Sequence, residues 1–490
     1  MLADRISPKV SVGVVYVLAM FMTIMDATIV NVALPRLGRE FGVPAAHVGG
    51  VVVGFLVSLA VFIPASGWLG DRFGTRRVFL GALVFFTGAS ALCGLAQTLT
   101  QLITFRILQG VGGGMMTPVG MAMLYRTFLP HERIRASRIL VIPAAFAPAI
   151  GPVLGGLLVT DLSWRWAFYV NVPIGIGGFV FGLLFVRDQR QEDAGRFDVP
   201  GFVLAGAGFG ALMYALSEGS AHGWTSPRIL GAGVVGAVLL VVLTVVELRA
   251  AEPMLDLRLL TNRLFASTTL VIVLGTVAFL GSLFLVALFF QDGYGVSALQ
   301  SGLSTFPEAI GVMAGAQIAG RLYPRVGPRR LVTTGLCGVG VILASISLVS
   351  FSTSLWVMRT LMFALGLSMA NVFVPAQAAA FATVSSASTG RASTMFNAGR
   401  QLGGAVGVAI MGAVISAVGV THVVAGHVRP DARAYHAAFL TAAGIALVAA
   451  TMGRRISDTD AAPSMRRSAE SPPRDDASAE SLAQVRPSVG

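Results

Sequence analysis

Long apolar stretches constrain the fold of this chain more than any other feature. Fourteen runs of about 20 mostly apolar residues follow one another between residues 12 and 453, and a helix needs about 20 such residues to cross a bilayer. Charged residues make up 12% of the chain, whereas soluble domains carry roughly 25%. The sequence therefore predicts an all-α polytopic membrane protein. The approximate spans are 12–35, 48–70, 78–97, 102–125, 137–160, 166–186, 199–217, 229–247, 265–290, 299–320, 331–351, 355–380, 392–419 and 434–453.

Composition excludes several function classes. The net charge of +12 comes from arginines at the ends of apolar runs, which argues against nucleic-acid binding. The one lysine is Lys9, so the Gly-Lys-[Ser/Thr] of a Walker A phosphate loop does not occur. The histidines and cysteines lack metal-site spacing, and no nucleophile–base constellation is recognisable. We expect no enzymatic activity, no metal and no cofactor.

The distribution of basic residues predicts the orientation in the membrane. Segments assigned to the inner side carry 26 of the 35 arginines and lysines, outer loops carry six, and three lie within spans. Because cytoplasmic loops are enriched in these residues, both termini are expected in the cytoplasm. Residues 454–490 are rich in Arg, Ser, Pro and Asp without periodicity, which predicts a disordered tail.

An internal repeat divides the chain into two similar halves. Gly67–Arg77 aligns with Gly320–Arg330 at six identical positions of eleven, and Arg106 matches Arg359 at the same spacing. Such parallel repeats are typical of transporters whose site lies between the halves near the membrane midplane. The predicted units are an N-terminal tail (1–11), a six-helix bundle (12–186), two extra spans with linkers (187–264), a second six-helix bundle (265–453) and the tail (454–490).

Two carboxylates lie well inside the apolar stretches, at Asp26 and Glu308. A charge at this depth costs roughly 2.5–3.5 kcal/mol on insertion scales, so it marks a function by default. A carboxylate near mid-membrane can take a proton on one side and release it on the other. Arg106 stays charged at any relevant pH and needs a partner or water at this depth. Asp26 is the acidic candidate in the same half, and we predict proton coupling by Asp26, Arg106 and Glu308.

Five stretches of the sequence resemble motifs of one transporter family. Gly67–Arg77 resembles motif A of the major facilitator superfamily, Leu102–Gly113 motif B, and Ala147–Gly156 motif C, which is found mainly in exporters. Trp164–Gly175 resembles the signature W-R-W-x-F-x-x-N-x-P-x-G, and Asp26–Pro35 the first-span pattern D-x-T-I-V-N-V-A-L-P, both of the fourteen-span drug:proton antiporters. The chain is similar to that family over about residues 10–450, although Ala147 replaces the usual first glycine of motif C.

The resemblance implies roles for the motif residues. Asp71 is expected to pair with the N-terminal end of the eleventh core helix, near Gly390 and Arg391. Trp164–Gly175 is interpreted as an anchor at the membrane interface and not as chemistry. Glycines of motifs A and C allow close helix packing, and the proline of motif C allows a bend. The residues expected to gate the conformational change are Gly67, Asp71, Arg72, Gly74, Arg76, Arg77, Gly151, Pro152, Gly155 and Gly156.

Polar residues within the spans are candidates for the substrate cavity. They are Asp26, Asn31, Glu308, Asn371 and Gln377. For Asn31, Asn371 and Gln377 the alternative is a hydrogen bond to a neighbouring helix. Glu308 is either a functional carboxylate or an outer glutamate reached by water. Arg400 is interpreted as structural.

The resemblance implies a proton-coupled antiporter of the bacterial inner membrane that exports amphipathic, cationic drugs by alternating access. Its partners are the lipid bilayer, protons and small-molecule substrates. A dedicated exporter of one metabolite, antibiotic, siderophore or lipid is an alternative on the same fold. A non-transporting sensor or scaffold is a third, although it would not need a buried carboxylate. The sequence leaves open the oligomeric state and the participation of a periplasmic adaptor protein.

Overall fold

Apolar helices make up almost all of the structure. The computed structural model describes residues 6–42, 48–188, 196–250, 253–419, 421–424, 427–430 and 432–465. The first half contains α1 (Pro8–Phe41), α2 (Gly50–Phe73), α3 (Thr75–Leu95), α4 (Leu99–Thr127), α5 (Arg133–Leu157), α6 (Trp166–Tyr169) and α7 (Asn171–Phe185). Two helices follow, α8 (Val199–His222) and α9 (Pro227–Arg249). The second half contains α10 (Arg263–Leu288), α11 (Ala298–Val326), α12 (Pro328–Ile346), α13 (Leu355–Ala380), α14 (Thr389–Val418), α15 (Ala432–Gly453) and the short α16 (Ala462–Met465).

Short irregular elements join these helices. 3₁₀ turns cover Pro130–Glu132 and Leu257–Thr261, and π-helical turns extend α5 and α10 over Leu158–Leu162 and Phe289–Gly293. Strands β1 (Thr421–Val424) and β2 (His427–Pro430) form an antiparallel hairpin between α14 and α15, with Thr421 opposite Pro430. The predicted all-α class is thus confirmed apart from this one small hairpin among the described residues.

The number of spans is a separate question from the fold. Twelve helices of the described chain are long and apolar enough to cross a membrane. Helices α5 and α11, with 25 and 29 residues, are of similar length but are not among these twelve. The count of fourteen spans therefore stays a prediction.

The two halves repeat the same packing. In the first half α1 packs on α5 and α2 on α4; in the second, α10 packs on α14 and α11 on α13. The halves meet where α5 contacts α11 and α13, and where α14 contacts α2 and α4. The extra pair α8 and α9 packs through α8 on α2 and α14. The extra pair thus contacts both halves through α8.

The repeated loop has the same construction in both halves. Gly74 and Gly327 take positive φ angles of 94° and 82° before α3 and α12, a conformation that favours glycine. The backbone N–H of Arg76 donates to Asp188 at 3.1 Å, and that of Arg329 donates to Asp458 at 2.9 Å. Each carboxylate thus caps the helix that follows the repeated glycine, where the partial positive charge of the helix terminus stabilises it.

The beginning of the C-terminal tail is ordered, contrary to the sequence prediction for 454–490. Ile456, Ala461 and Ser464 are buried, and the Tyr323 hydroxyl lies 2.7 Å from that of Ser464. α16 packs on α11 of the second half and on the 3₁₀ turn of the first. The prediction was wrong for 454–465 because it used local composition, whereas these contacts come from distant helices. Residues 466–490 lie outside the described chain.

Replacing Asp458 by alanine is expected to destabilise the folded protein by about 1 kcal/mol, the usual effect of losing a side-chain helix cap. Thermal unfolding of the purified protein in detergent measures the change. Asp460→Ala is the matched control, because Asp460 is exposed two residues away. Among the described residues its side chain caps no helix, and its backbone N–H donates to Ser457. Equal melting temperatures for the two variants would contradict the capping role.

Candidate functional site

A buried polar cluster surrounds Asp26 inside the first half. Asp26 of α1 and Arg106 of α4 form an ion pair, and both side chains are 0% exposed. Gln109 lies one helical turn after Arg106 on the same face of α4. Asn171 is the first residue of α7. Three helices, α1, α4 and α7, thus bring polar side chains to one point in an apolar bundle.

Asp26 accepts hydrogen bonds at both carboxylate oxygens. Arg106 Nη1 donates to Oδ2, while Gln109 Nε2 and Asn171 Nδ2 each donate to Oδ1 at 2.9 Å. Arg106 Nη1 also donates to Gln109 Oε1 at 2.7 Å. Because every one of these partners is a donor, the cluster matches an ionised Asp26, which only accepts.

Two groups outside this cluster also contact the Arg106 guanidinium. Its Nε donates to the Val51 carbonyl at 3.1 Å, and its central carbon lies 4.2 Å from the Phe55 ring centroid. Nη2 has no partner within the described residues. Arg359, the matching residue of the second half, instead lies 4.7 Å from the Trp356 ring. The repeat therefore places a buried ion pair in the first half, whereas the equivalent arginine of the second half stacks on an aromatic ring.

A cavity lies between the halves. Its walls are mainly apolar and come mostly from the second half. The lining residues are Leu140, Val141, Ile272, Phe279, Glu308, Val312, Phe373, Gln377, Phe396 and Arg400. Glu308 is nearly buried, and no hydrogen bond or ion pair to it occurs among the described residues. The cavity therefore presents one carboxylate, one guanidinium and one amide on aromatic and aliphatic walls.

The cavity does not include all of the residues that the sequence predicted for it. Glu308 and Gln377 line it, and so does Arg400, which the sequence had marked as structural. Asp26 is not a lining residue and is buried inside the first half. Asn371 donates to the Leu367 carbonyl of its own helix at 2.8 Å and is not a lining residue. The side chain of Asn31 lies outside the described part of the structure.

Motif A lies at the end of the molecule that carries the basic loops 71–77, 126–138 and 321–330, here called the arginine-rich end. Asp71 Oδ1 accepts from Arg126 Nη2 at 2.6 Å, and Arg126 Nε donates to the Ser386 carbonyl of the second half at 3.2 Å. The Asp71 carboxylate lies against Gly390 at the start of α14, where a Cβ would be 2.8 Å from each oxygen. Arg391 pairs with Asp256 at 3.8 Å. Asp71 thus joins the two halves with Arg126, which the sequence had not singled out.

The arginines of motif A stay within their own half. Arg76 donates to the Leu183 carbonyl, Arg77 pairs with Asp188 at 3.6 Å, and Arg72 is exposed. They hold the end of α7 against the loop before α3. The link between the halves at motif A therefore runs through Asp71 and Arg126.

Other contacts at the arginine-rich end also join the halves. The rings of Tyr125 and Phe381 are stacked with centroids 4.3 Å apart, and Arg138 donates to Gln317 at 2.8 Å. Gly67 of α2 lies so close to α14 that a Cβ would be 3.0 Å from the Gly390 carbonyl oxygen. The structure is closed at this end.

Motif C brings α5 against α1 close to Asp26. A Cβ at Gly151 would overlap the Thr28 hydroxyl, two residues after Asp26. Gly155 is buried, whereas a Cβ at Gly156 would meet nothing within 4 Å. The side chain of Pro152 lies outside the described part of the structure. Gly151 thus brings α5 into contact with α1 two residues from Asp26.

Comparison with known proteins agrees with this architecture. The family model of the Major Facilitator Superfamily matches residues 16–408 and 309–486. The chain is 32% identical over 409 residues to a multidrug resistance protein B homolog of Mycobacterium tuberculosis, covering 82% of this chain and 75% of that protein. It is 31% identical over 420 residues to the putative multidrug resistance protein MdtD of Serratia proteamaculans, covering 86% and 87%.

A solved structure supports the fold. The human organic anion transporter MFSD10 (TETRAN) matches with a TM-score of 0.65 at 16% sequence identity, covering 91% of this chain and 99% of that one. The helical architecture, the family model and the relatives agree, and the expectation of a transporter rather than an enzyme is confirmed. The chain belongs to the Major Facilitator Superfamily and is a multi-pass membrane transporter.

Proposed function

We propose that the protein is a proton-coupled antiporter that exports amphipathic, cationic compounds across the cytoplasmic membrane of a bacterium by alternating access. The observation that carries this proposal is the fully buried Asp26–Arg106 pair in a protein that also has a mainly apolar cavity lined by Glu308. The relatives named as multidrug resistance proteins support export of drugs as the direction and class of transport.

Protonation of Asp26 is the coupling step in this proposal. A proton that neutralises Asp26 removes the charge that Arg106, Gln109 and Asn171 hold in place, so the contacts between α1, α4 and α7 weaken together. Each proton entering the cell contributes ~2.3 kcal/mol per 100 mV of membrane potential and ~1.4 kcal/mol per pH unit. One or two protons per cycle therefore support a substantial export gradient.

The cavity supplies the substrate preference. Aromatic walls from Phe279, Phe373 and Phe396 suit apolar bodies of varied shape, and Glu308 attracts a positive charge. Asp26 takes the proton and does not line the cavity, so proton and substrate act on different carboxylates. This separation allows a proton to change the packing of the first half while a substrate occupies the cavity.

The closed arginine-rich end supports an assignment of the conformational state. By the positive-inside rule this end is cytoplasmic, with both termini on the same side. Contacts of Asp71, Arg126 and Tyr125 with α14 and its preceding loop then close the cytoplasmic side, as in an outward-facing transporter. Export requires these contacts to break so that a substrate can enter from the cytoplasm.

Substrate-induced proton release in proteoliposomes tests the proposal. Ethidium and tetraphenylphosphonium are the cationic probes, neutral compounds of similar size are the comparison, and a pH-sensitive dye is the readout. We expect release with the wild type and none with Asp26→Asn. In Glu308→Gln we expect affinity for the cations, but not for the neutral compounds, to fall about tenfold, equivalent to ~1.4 kcal/mol.

Other results would change the proposal. Proton release from Asp26→Asn equal to that of the wild type would exclude Asp26 as the coupling site. Transport of a single compound from a broad panel would favour a dedicated exporter on the same fold. If no compound induced proton release by the wild type, transport coupled to protons would be rejected.

A further inference from the structure

We propose that Asn171 is a positioning residue for Asp26, which orients the charged carboxylate by donating to it from a fixed amide. This inference rests on the proposed role of Asp26 in proton coupling. Asn171 belongs to the Trp164–Gly175 signature, for which the sequence suggested only anchoring. It is 0% exposed at the start of α7 and lies 2.9 Å from Asp26 across 145 residues of chain.

A directed chain of hydrogen bonds fixes the orientation of the Asn171 amide. The Ser90 hydroxyl donates its one hydrogen to the Phe168 carbonyl at 2.9 Å. Ser90 Oγ is then an acceptor toward Asn171, which donates from Nδ2 at 3.1 Å. The same Nδ2 uses its second hydrogen for Asp26 Oδ1. The short helix α6 and the Trp164–Gly175 signature are therefore connected to the carboxylate through Ser90 and Asn171.

The other end of the amide is unpaired. Asn171 Oδ1 is buried and has no hydrogen-bond partner in the described residues. A buried polar group without a partner is unfavourable. To accept from a protonated Asp26, Oδ1 would have to turn toward the carboxyl, and Nδ2 would lose its bonds to Asp26 and Ser90. The fixed amide therefore suits the charged, accepting form of Asp26.

Few ionisable groups surround Asp26, so the Asn171 amide affects its charge state. Arg106 of α4 faces the carboxylate, and the Cys93 thiol of α3 is 3.8 Å from Gln109 Oε1. The neighbouring helices α2, α5 and α7 have no ionisable residue along their stretches 50–70, 139–157 and 171–185. Neutral donors therefore join one guanidinium in setting the charge state of Asp26, and loss of one donor favours the protonated form.

The test measures protonation of Asp26 directly and does not depend on transport. Infrared difference spectra of the purified full-length protein, recorded over a pH titration, follow the carbonyl stretch of the protonated carboxyl, which is assigned by its loss in Asp26→Asn. We expect Asn171→Leu to move the midpoint upward by about one pH unit, a tenfold change in proton affinity. Asn171→Ser keeps a donor and an acceptor, and we expect it to restore part of the shift.

Asn371→Leu is the matched control, because the side-chain bond that Asn371 makes among the described residues stays within α13. The proposal is overturned if Asn171→Leu leaves the midpoint at the wild-type value or moves it no more than Asn371→Leu does. If Asn171→Leu does not fold, Ser90→Ala takes its place, because this substitution frees the amide from its fixed orientation. An unchanged titration midpoint in Ser90→Ala also overturns the proposal. If Asp26 titrates in the infrared spectra but substrates induce no proton release, the proposed function is rejected while the role of Asn171 stands.

Discussion

Replacing Arg106 by leucine is expected to destabilise the protein by about 3–5 kcal/mol, the usual effect of removing one partner of a buried ion pair. The variant leaves Asp26 charged and 0% exposed without its counter-ion. Adding Asp26→Asn removes that charge, so the double variant is expected to regain most of the lost stability. Unfolding in detergent, followed for both single variants and the double variant, gives the coupling energy of the pair.

Arg359→Leu is the control for this prediction. Arg359 occupies the matching position of the repeat and stacks on Trp356, with no carboxylate partner among the described residues. Its loss is expected to have a clearly smaller effect than the loss of Arg106. Equal destabilisation by the two substitutions, or no rescue by Asp26→Asn, would contradict the view that pairing with Asp26 is what Arg106 contributes.

Gly151→Ala is expected to destabilise the protein by about 1–3 kcal/mol, as overpacking of a close interface does. The new methyl group would overlap the Thr28 hydroxyl and push α1 away from α5. Because Thr28 follows Asp26 closely on α1, the same displacement would disturb the Asp26 cluster and slow substrate-driven proton release. Melting temperature and proton release in proteoliposomes measure the two effects.

Gly156→Ala provides the comparison for Gly151 within the same motif. A Cβ at Gly156 would meet no atom within 4 Å, and alanine is the better helix former. We therefore expect wild-type stability and proton release from this variant. If Gly151→Ala behaves in the same way, the close contact between α1 and α5 is not required.

The sequence determined the features that depend on the bilayer alone. Apolar length and internal backbone hydrogen bonding leave few alternatives to helices in lipid, so the architecture was predictable from runs of residues. The repeat from Gly67–Arg77 to Gly320–Arg330 predicted two similar halves, and the packing of the helices repeats in the same way. The depth of Asp26 and Arg106 in their spans marked both as unusual before any contact was known.

Contacts between distant residues were beyond the reach of the sequence. Nothing local indicates that Asn171, at the start of α7, reaches Asp26, or that Arg126 joins Asp71 to α14. The tail at 454–465 has the composition of a disordered segment, yet Ile456 and Ser464 find buried places on helices far away in the chain. Local residues decide whether a segment prefers lipid or water, and sequence patterns therefore show this preference. They do not show which distant residues come into contact.

The position of Asp26 shows this division most clearly. Its sequence context placed a carboxylate in the first span and made it a candidate for the substrate cavity. The face of α1 that carries it turns toward Arg106, Gln109 and Asn171, and Glu308 lines the cavity instead. The sequence by itself determined which residues enter the membrane and at what depth. Only the tertiary structure decided which of them meet, because that depends on how the helices rotate and pack against one another.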